Sequence, residues 1–217
     1  MKSLSAFLLT CATLFFFIGC SDDPAASGGG TIQQLFPMAV GNTWSLQNTN
    51  YDDLGNISGI DTMSLTIDSA GTVFGHSGFF ANMGGGEGSF LYYNNTDLRS
   101  QDPDNESDNE LAIRYPMAAN EILITEDTTN DDGYRRQSFL KLVSENTPVS
   151  VPGGTFNCVV YMDYSLYGKG TLDTTSLNIY SFAFGTGYVK QDNYYHNGST
   201  SKLEHGSTTA LIKATIK

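Results

Sequence analysis

The sequence predicts an all-β fold: a curled antiparallel sheet or incomplete β-barrel of about ten strands. About ten strand-like runs follow one another at intervals of roughly 10–15 residues, and no helical period follows the first 31 positions. The chain is also rich in glycine (23), phenylalanine (13) and tyrosine (12), which supply turns and pleated faces. Finally, one run alternates for much longer than the roughly five or six residues of a typical strand.

This long alternating run covers residues 156–167, and turn residues precede and follow it. Its even positions are apolar and its odd positions are mixed, and successive side chains of a strand point to opposite faces. The pattern therefore predicts a central strand whose even face, including Cys158, lies on the core. Cys158 is the only cysteine after Cys20, so the folded part of the chain can form no internal disulfide. We expect it to act as a small buried hydrophobe.

Residues 1–19 have the pattern of a lipoprotein signal peptide, in which Lys2 precedes an apolar run too short for a comfortable membrane span. The run ends in Phe17-Ile18-Gly19-Cys20, which resembles the bacterial lipobox, although Phe17 stands where leucine is usual. The resemblance implies that Cys20 carries acyl chains such as palmitate and anchors the mature protein in a membrane. An ordinary secretory peptide or a single-pass anchor is the alternative.

Residues 20–30 are expected to form the lipidated cysteine with a flexible linker, and residues 31–217 a single β domain. Asp22 and Asp23 directly follow Cys20. They resemble the acidic export signal of some Gram-negative lipoproteins, which implies an extracytoplasmic domain on the outer membrane or the cell surface. A solvated linker with two acidic residues explains the same sequence.

The charge of the chain excludes several classes of partner. Removal of the signal peptide takes away one of the 11 basic residues and none of the 23 acidic ones, so that the mature chain carries a net charge of −13. Such a charge argues against nucleic acid and against anionic lipid headgroups as partners. The membrane contact is therefore expected through the N-terminal lipid, and a protein or small-molecule partner is left unidentified.

Three short motifs in the domain carry a family resemblance. They read Gly41-Asn42-Thr43-Trp44, Val151-Pro152-Gly153-Gly154-Thr155-Phe156 and Phe184-Gly185-Thr186-Gly187-Tyr188-Val189-Lys190. Together they resemble a broad set of uncharacterised bacterial lipoproteins, in which alanine is usual at the position of Gly153. The resemblance implies a curved sheet similar to the half-barrels of periplasmic lipoprotein and lipid carriers, and it implies no activity. The motif glycines are expected at sharp turns with positive φ or at close backbone contacts.

An acidic loop at residues 102–110 is the clearest candidate for a metal site. Its carboxylates occupy every second position: Asp102, Asp104, Glu106, Asp108 and Glu110. Oxygen ligands at this spacing can surround a calcium ion. However, Ser107 stands where an EF-hand has glycine, and no helices flank the loop. A solvated acidic loop is the alternative, and no other cofactor is predicted.

Tyr161 and Tyr167 lie on the odd face of the long strand, where they could line a concavity and stack on an apolar or sugar ligand. A sheet curled enough to cover both faces with its own residues explains them equally.

No residue set points to catalysis, since His76, His196 and His205 are far apart and lack metal-ligand spacing. The sequence therefore predicts a lipid-anchored binding or assembly module rather than an enzyme, with its ligand unknown. The alternatives are a carrier of a hydrophobic ligand in a half-barrel and an extracytoplasmic hydrolase.

Overall fold

A computed structural model describes residues 30–84, 88–198, 200 and 202–217. The signal peptide, Cys20 and the linker up to position 29 lie outside these residues. A short helix α1 (Ile32–Leu35) precedes the strands. The strands are β1 (Thr43–Tyr51), β2 (Ile57–Val73), β3 (His76–Met83), β4 (Ser89–Asn94), β5 (Asp97–Gln101), β6 (Asn109–Arg114), β7 (Ile122–Thr129), β8 (Arg135–Val151), β9 (Gly154–Gly168), β10 (Asp173–Ala183), β11 (Gly187–Asn197) and β12 (Lys202–Thr215).

The strands form one antiparallel sheet in the order β6-β5-β4-β3-β2-β1-β12-β11-β10-β9-β8-β7. Strands β1 to β6 and strands β7 to β12 each pair with their neighbours in the chain, as short turns favour, and β1 pairs with β12. The sheet therefore closes through the two ends of the chain and stays open in the middle, between β6 and β7. The result is a barrel with one seam, which confirms the predicted curled antiparallel sheet or incomplete barrel.

The sheet has twelve strands rather than about ten, and one of the additional strands follows from a turn inside an aromatic run. Residues 90–98 read as one strand, but they contain most of β4, a turn and the start of β5. The turn is made at Asn95, whose φ of 55° lies in the left-handed region. Asparagine adopts this region more readily than most residues, and this preference was the available signal.

The N-terminal segment closes one end of the barrel. Thr31 and Gln34 form a capping box that holds the single turn of α1, whose Ile32 and Leu35 are fully buried. The Tyr93 hydroxyl accepts a hydrogen bond from the Met38 backbone N–H (3.2 Å) and donates one to the Phe36 carbonyl. This end is therefore filled by the protein's own apolar side chains.

Asn42, from the first motif, joins the two ends of the chain. Its side chain is fully buried, and its Nδ2 donates to the Pro37 carbonyl at 3.0 Å. Its Oδ1 accepts from the backbone N–H of Lys217, also at 3.0 Å. One buried amide thus holds the entering segment, the start of β1 and the C-terminus together.

Trp44 links the first motif to the third. The Trp44 side chain is fully buried, and its Nε1 donates to the Thr186 carbonyl at 2.6 Å. Gly187 has a φ of 84°, and a Cβ added there would lie only 3.1 Å from the Trp44 ring. The expectation that motif glycines occupy positive-φ turns or close contacts is therefore correct at this position.

The predicted orientation of the long strand is wrong. The main core contains Val159 and Tyr161 from the odd face of β9, whereas Cys158 and Val160 belong to a smaller, second cluster. The tip of the β8–β9 hairpin packs beside β12, where the Gly153 N–H donates to the Leu211 carbonyl at 2.8 Å. Both faces of this part of β9 are thereby buried, so alternation could not identify the core side. Burial raises the pKa of the Cys158 thiol to about 12, in keeping with a structural role.

Alanine at position 187 should destabilise the protein more than alanine at position 185. Gly185 and Gly187 both have positive φ (72° and 84°), so both substitutions strain the backbone. Only the Cβ at position 187 meets the Trp44 ring; no atom lies within 4 Å of a Cβ at position 185. We expect Gly187→Ala to cost about 1–3 kcal/mol more, as overpacking does. Thermal or denaturant unfolding of the two variants measures the difference, and equal losses would contradict the proposed constraint.

Candidate functional site

The inner face of the barrel, defined here as the face that carries Trp44 and Tyr161, changes character along the strands. Residues paired across neighbouring strands lie on the same face, so each row can be followed from strand to strand. Close to α1 the rows are apolar. Phe182 pairs with Val159 and Tyr188. Leu46 in turn pairs with Leu211 and Met63.

The next rows on the inner face are polar from β9 through β12 to β1 and apolar on β7 and β8. One row consists of Leu142, Tyr161, Tyr180, Gln191, Thr209, Asn48 and Asp61. The following row consists of Leu123, Leu140, Asp163, Asn178, Asn193, Ser207 and Asn50. A third row consists of Glu126, Ser138, Ser165 and Ser176. The inside of the barrel thus passes from apolar to polar over about four residues of strand.

Hydrogen bonds order these polar side chains. Asn178 Oδ1 accepts from Asn193 Nδ2 at 2.6 Å and from Gln191 Nε2 at 3.3 Å. The hydroxyls of Ser138 and Ser165 lie 3.0 Å apart, and the Ser138 hydroxyl also donates to a Glu126 carboxylate oxygen at 3.1 Å. Such networks hold polar groups in fixed positions before any ligand arrives.

At one end of the seam β6 is tied to the interior of the barrel, and at the other end a cavity opens. At the end of β6 the Tyr161 hydroxyl donates to the Arg114 carbonyl at 2.8 Å. The Arg114 guanidinium in turn makes two bonds, of 2.6 and 3.0 Å, to the buried carboxylate of Asp97. Towards the start of β6, a cavity of about 400 Å³ separates this strand from the inner faces of β7, β8, β9 and β10. We call this space the seam cavity.

The seam cavity is predominantly acidic. Asp108, Glu110, Glu126 and Asp163 line it, and Arg136 supplies the single cationic side chain among the described residues that do so. Arg136 is engaged by Glu126, with Nε 3.2 Å from a carboxylate oxygen. An acidic excess therefore remains around Glu110 and Asp163.

Asp163 is partly buried and without a partner in the described part of the chain, whereas Asp108 and Glu110 are exposed to solvent. Among the described residues, none forms a hydrogen bond or an ion pair with its carboxylate. Burial, followed by the charge of Glu110, raises the pKa of Asp163, and Arg136 only partly opposes this shift. The same two carboxylates add to burial in raising the pKa of Tyr180 to about 12. The arrangement can accept hydrogen bonds from a ligand and can neutralise a positive charge.

The acidic loop is organised around an amide rather than around its carboxylates. Gln101 is buried, and its Nε2 donates to the backbone carbonyls of Asp102 (3.2 Å), Asn105 (2.7 Å) and Asp108 (3.0 Å). The carbonyls that converge in this loop therefore already have a donor. In the part of the chain that the structure describes, no three acidic, histidine or cysteine side chains are grouped as metal ligands. Calcium binding by residues 102–110 stays a prediction.

The two tyrosines predicted to bind a ligand are not brought together. Tyr161 is fully buried and bonded to the Arg114 carbonyl. Tyr167 is 41% exposed and stacks on Tyr134, with ring centroids 5.4 Å apart. Of the pair, only Tyr167 is accessible to a ligand.

Sequence reasoning missed Asp163, Ser165 and Asn178. Asp163 and Ser165 are the polar residues that follow Tyr161 on the odd face of β9, the face that buries Tyr161. A carboxylate two residues from a buried tyrosine on one face was the available signal. Because the alternation of β9 predicts a core on its even face, this signal lies on the face that was not expected to be buried.

Replacement of Asp163 by asparagine should stabilise the protein at pH 7. A carboxyl whose pKa is raised by folding contributes stability below its unfolded pKa near 3.8, and this contribution is lost as the pH rises through the folded pKa. Ionisation of Asp163 therefore disfavours the fold, and an amide cannot ionise. We expect a higher melting temperature at pH 7 and a gain that disappears below about pH 4.

Asp127→Asn is the matched control. Hydrogen bonds from Arg135 and Gln137 lower the pKa of Asp127 to about 2. Its ionised form therefore favours the folded state above the unfolded pKa, and this effect is lost as the pH falls through about 2. The control should not gain stability at pH 7. Loss of stability in Asp163→Asn at that pH would contradict the assigned environment of Asp163.

Comparison with known proteins gives the fold. No protein-family model and no curated protein matches the chain. A solved structure from Bacteroides fragilis, described as an exported protein with a YmcC-like fold, is 14% identical over 83% of this chain and 98% of that chain, with a TM-score of 0.50. A lipoprotein from Parabacteroides distasonis is 15% identical over the same shares, with a TM-score of 0.49. Within the described residues, no helix has the length and apolarity needed to cross a bilayer.

Proposed function

We propose that the protein is a lipid-anchored extracytoplasmic binding module that takes a polar, positively charged ligand into the seam cavity. The observation that carries the proposal is the change of the inner face from apolar to polar towards an unpaired seam. An unpartnered, partly buried carboxylate such as Asp163 lowers stability, and groups of this kind are concentrated at binding and catalytic sites. A cationic ligand would remove that penalty.

The same interior favours a polar ligand over the alternative of a hydrophobic one. A carrier of an apolar molecule needs an apolar cavity. The apolar end of this barrel is filled by Ile32, Leu35 and Phe36, all buried in the main core. The seam cavity instead presents serine, asparagine and carboxylate groups.

The location rests on the N-terminal sequence. The pattern of residues 1–19 and the Gly19-Cys20 junction support lipidation, and Asp22 and Asp23 support the outer membrane or the cell surface. The description of the Bacteroides fragilis protein of similar fold as exported agrees with an extracytoplasmic site.

The anchor also suggests how the site is presented. Gly30 packs against Phe184 beside the apolar end of the barrel. From Cys20 the chain can reach this point over at most about 35 Å. Strands β8 to β12 have 11 to 17 residues, or about 35–55 Å of length. The apolar end is therefore expected on the membrane side, and the seam cavity further from it.

Lipidation should be lost on substitution of Cys20. Cys20→Ser removes the thiol that would carry the acyl chains, so incorporation of an alkyne-tagged fatty acid should stop. Cys158→Ser is the matched control, since this buried thiol lies in the folded domain and should leave incorporation unchanged. Labelling in cells followed by gel fluorescence measures both. Continued labelling of Cys20→Ser would contradict the anchor.

Binding at the seam can be tested in the native host with a photo-crosslinking amino acid. Thr125 lines the seam cavity and is exposed, so a crosslinker there should form adducts of defined mass. Asn157, exposed on the hairpin of β8 and β9, provides the control position. Mass spectrometry of the purified protein reads out the adducts. Absence of adducts at position 125, or the same adducts at both positions, would overturn the proposal.

A further inference from the structure

We infer that the ligand of the seam is an extended polypeptide segment, which pairs with the free edge of β7 and places basic side chains in the seam cavity. This inference rests on the proposed function and specifies the chemical class of its ligand. It follows from three features of the seam: two strand edges without partners, an opening at one end, and opposite chemistry on the two sides of β7.

The strand edges are the first feature. β7 pairs with β8 along one edge, and β6 pairs with β5; within the described residues neither strand has a partner on its other edge. An unpaired edge presents backbone N–H and C=O groups in the spacing that another strand needs. β7 contains neither proline nor lysine, which commonly protect such edges. The pairing of β7 with β8 shifts register once, between Ile124 and Glu126. Residues 126–129 beyond this shift pair with β8 without interruption.

The opening is the second feature. The bond from the Tyr161 hydroxyl to the Arg114 carbonyl occupies a backbone acceptor at the end of β6 and ties that end of β6 to β9 behind the seam. At the opposite end, the seam cavity separates Glu110 on β6 from Glu126 on β7. A segment would therefore enter from the cavity end and extend along β7.

The two sides of β7 determine the side chains of the segment. Successive residues of a strand point to opposite faces. Those that point inward would meet Glu110 and Asp163, whose charges call for lysine or arginine. Those that point outward would lie beside Thr129 and the Asp127–Arg135 ion pair and, towards the start of β7, beside Ile124, which is 60% exposed and favours an apolar side chain. The segment should therefore alternate basic and apolar residues.

The free edges also distinguish a polypeptide from a saccharide. A saccharide could bond to the serine and asparagine side chains of the cavity, but it offers no regular ladder of amide donors and acceptors. Only a strand satisfies the backbone groups along β7. In addition, the net charge of −12 for the whole chain disfavours acidic segments of any kind.

Synthetic peptides test the inference on the full-length protein purified in detergent. The probe is a fluorescein-labelled heptapeptide of alternating valine and lysine, and fluorescence anisotropy measures its binding. We expect saturable binding at micromolar concentration. Methylation of the alternate backbone nitrogens that face β7 should weaken binding at least tenfold, because it removes the ladder donors. Glutamate in place of lysine should abolish binding.

Protein variants separate the seam from general electrostatic attraction. Asp163→Asn and Glu110→Gln should each weaken binding of the lysine peptide about fivefold. Asp68→Asn is the matched control: it removes an equal charge from the exposed surface of β2, a strand that contributes no residue to the seam cavity. Its affinity should match that of the unmodified protein.

Two results would overturn the inference. One is the absence of saturable binding of the lysine peptide below about 1 mM. The other is equal affinity for the backbone-methylated peptide, which would reduce the contact to charge alone. Neither result decides the proposed function, since crosslinking from position 125 tests the seam without assuming a polypeptide. Adducts at that position together with no peptide binding would assign the seam to another ligand, such as a saccharide.

Discussion

The pairing of β1 with β12 is the constraint on which the rest of the barrel depends. Every other pair of neighbours in the described sheet is consecutive in the chain, so this is its one strand pairing between segments that are distant in sequence. Closing so long a loop carries an entropic cost, and the closure is reinforced by the buried amide of Asn42 and by the bond from Trp44 to the Thr186 carbonyl. Because the ends of the chain meet, the remaining gap falls in the middle of the chain, between β6 and β7.

The gap persists for physical reasons that lie in its own side chains. Closing β6 against β7 would crowd Glu110, Glu126 and Asp163, and like charges at short range disfavour their ionised forms. The Tyr161 hydroxyl already occupies the Arg114 carbonyl, a backbone acceptor that a continuous ladder would use. At one end β6 is thus tied to β9, and at the other end the seam is kept apart, which gives lateral access to a polar interior.

The sequence predicted the strands and the antiparallel barrel because alternation and turn residues are local properties. The predicted inner side of β9 is wrong, since alternation distinguishes two faces and does not say which is inside. Cys158 and Val160 are buried on the other face, where they pack against side chains from the tip of their own β8–β9 hairpin. The seam could not be located, because it is defined by strands that do not pair. The acidic loop drew attention by its charge, although Gln101, a single buried amide, determines its shape.

The two ends of the barrel meet opposite physical demands. At the apolar end, Trp44 and the segment from α1 to Met38 form a dry, closely packed core that contributes stability. At the polar end, Asp163 remains without a partner among the described residues, and its charge lowers stability. The first end offsets the cost of the second. For the binding module proposed above, removal of the charge at Asp163 should raise stability and lower affinity, so the two properties are in opposition at this position.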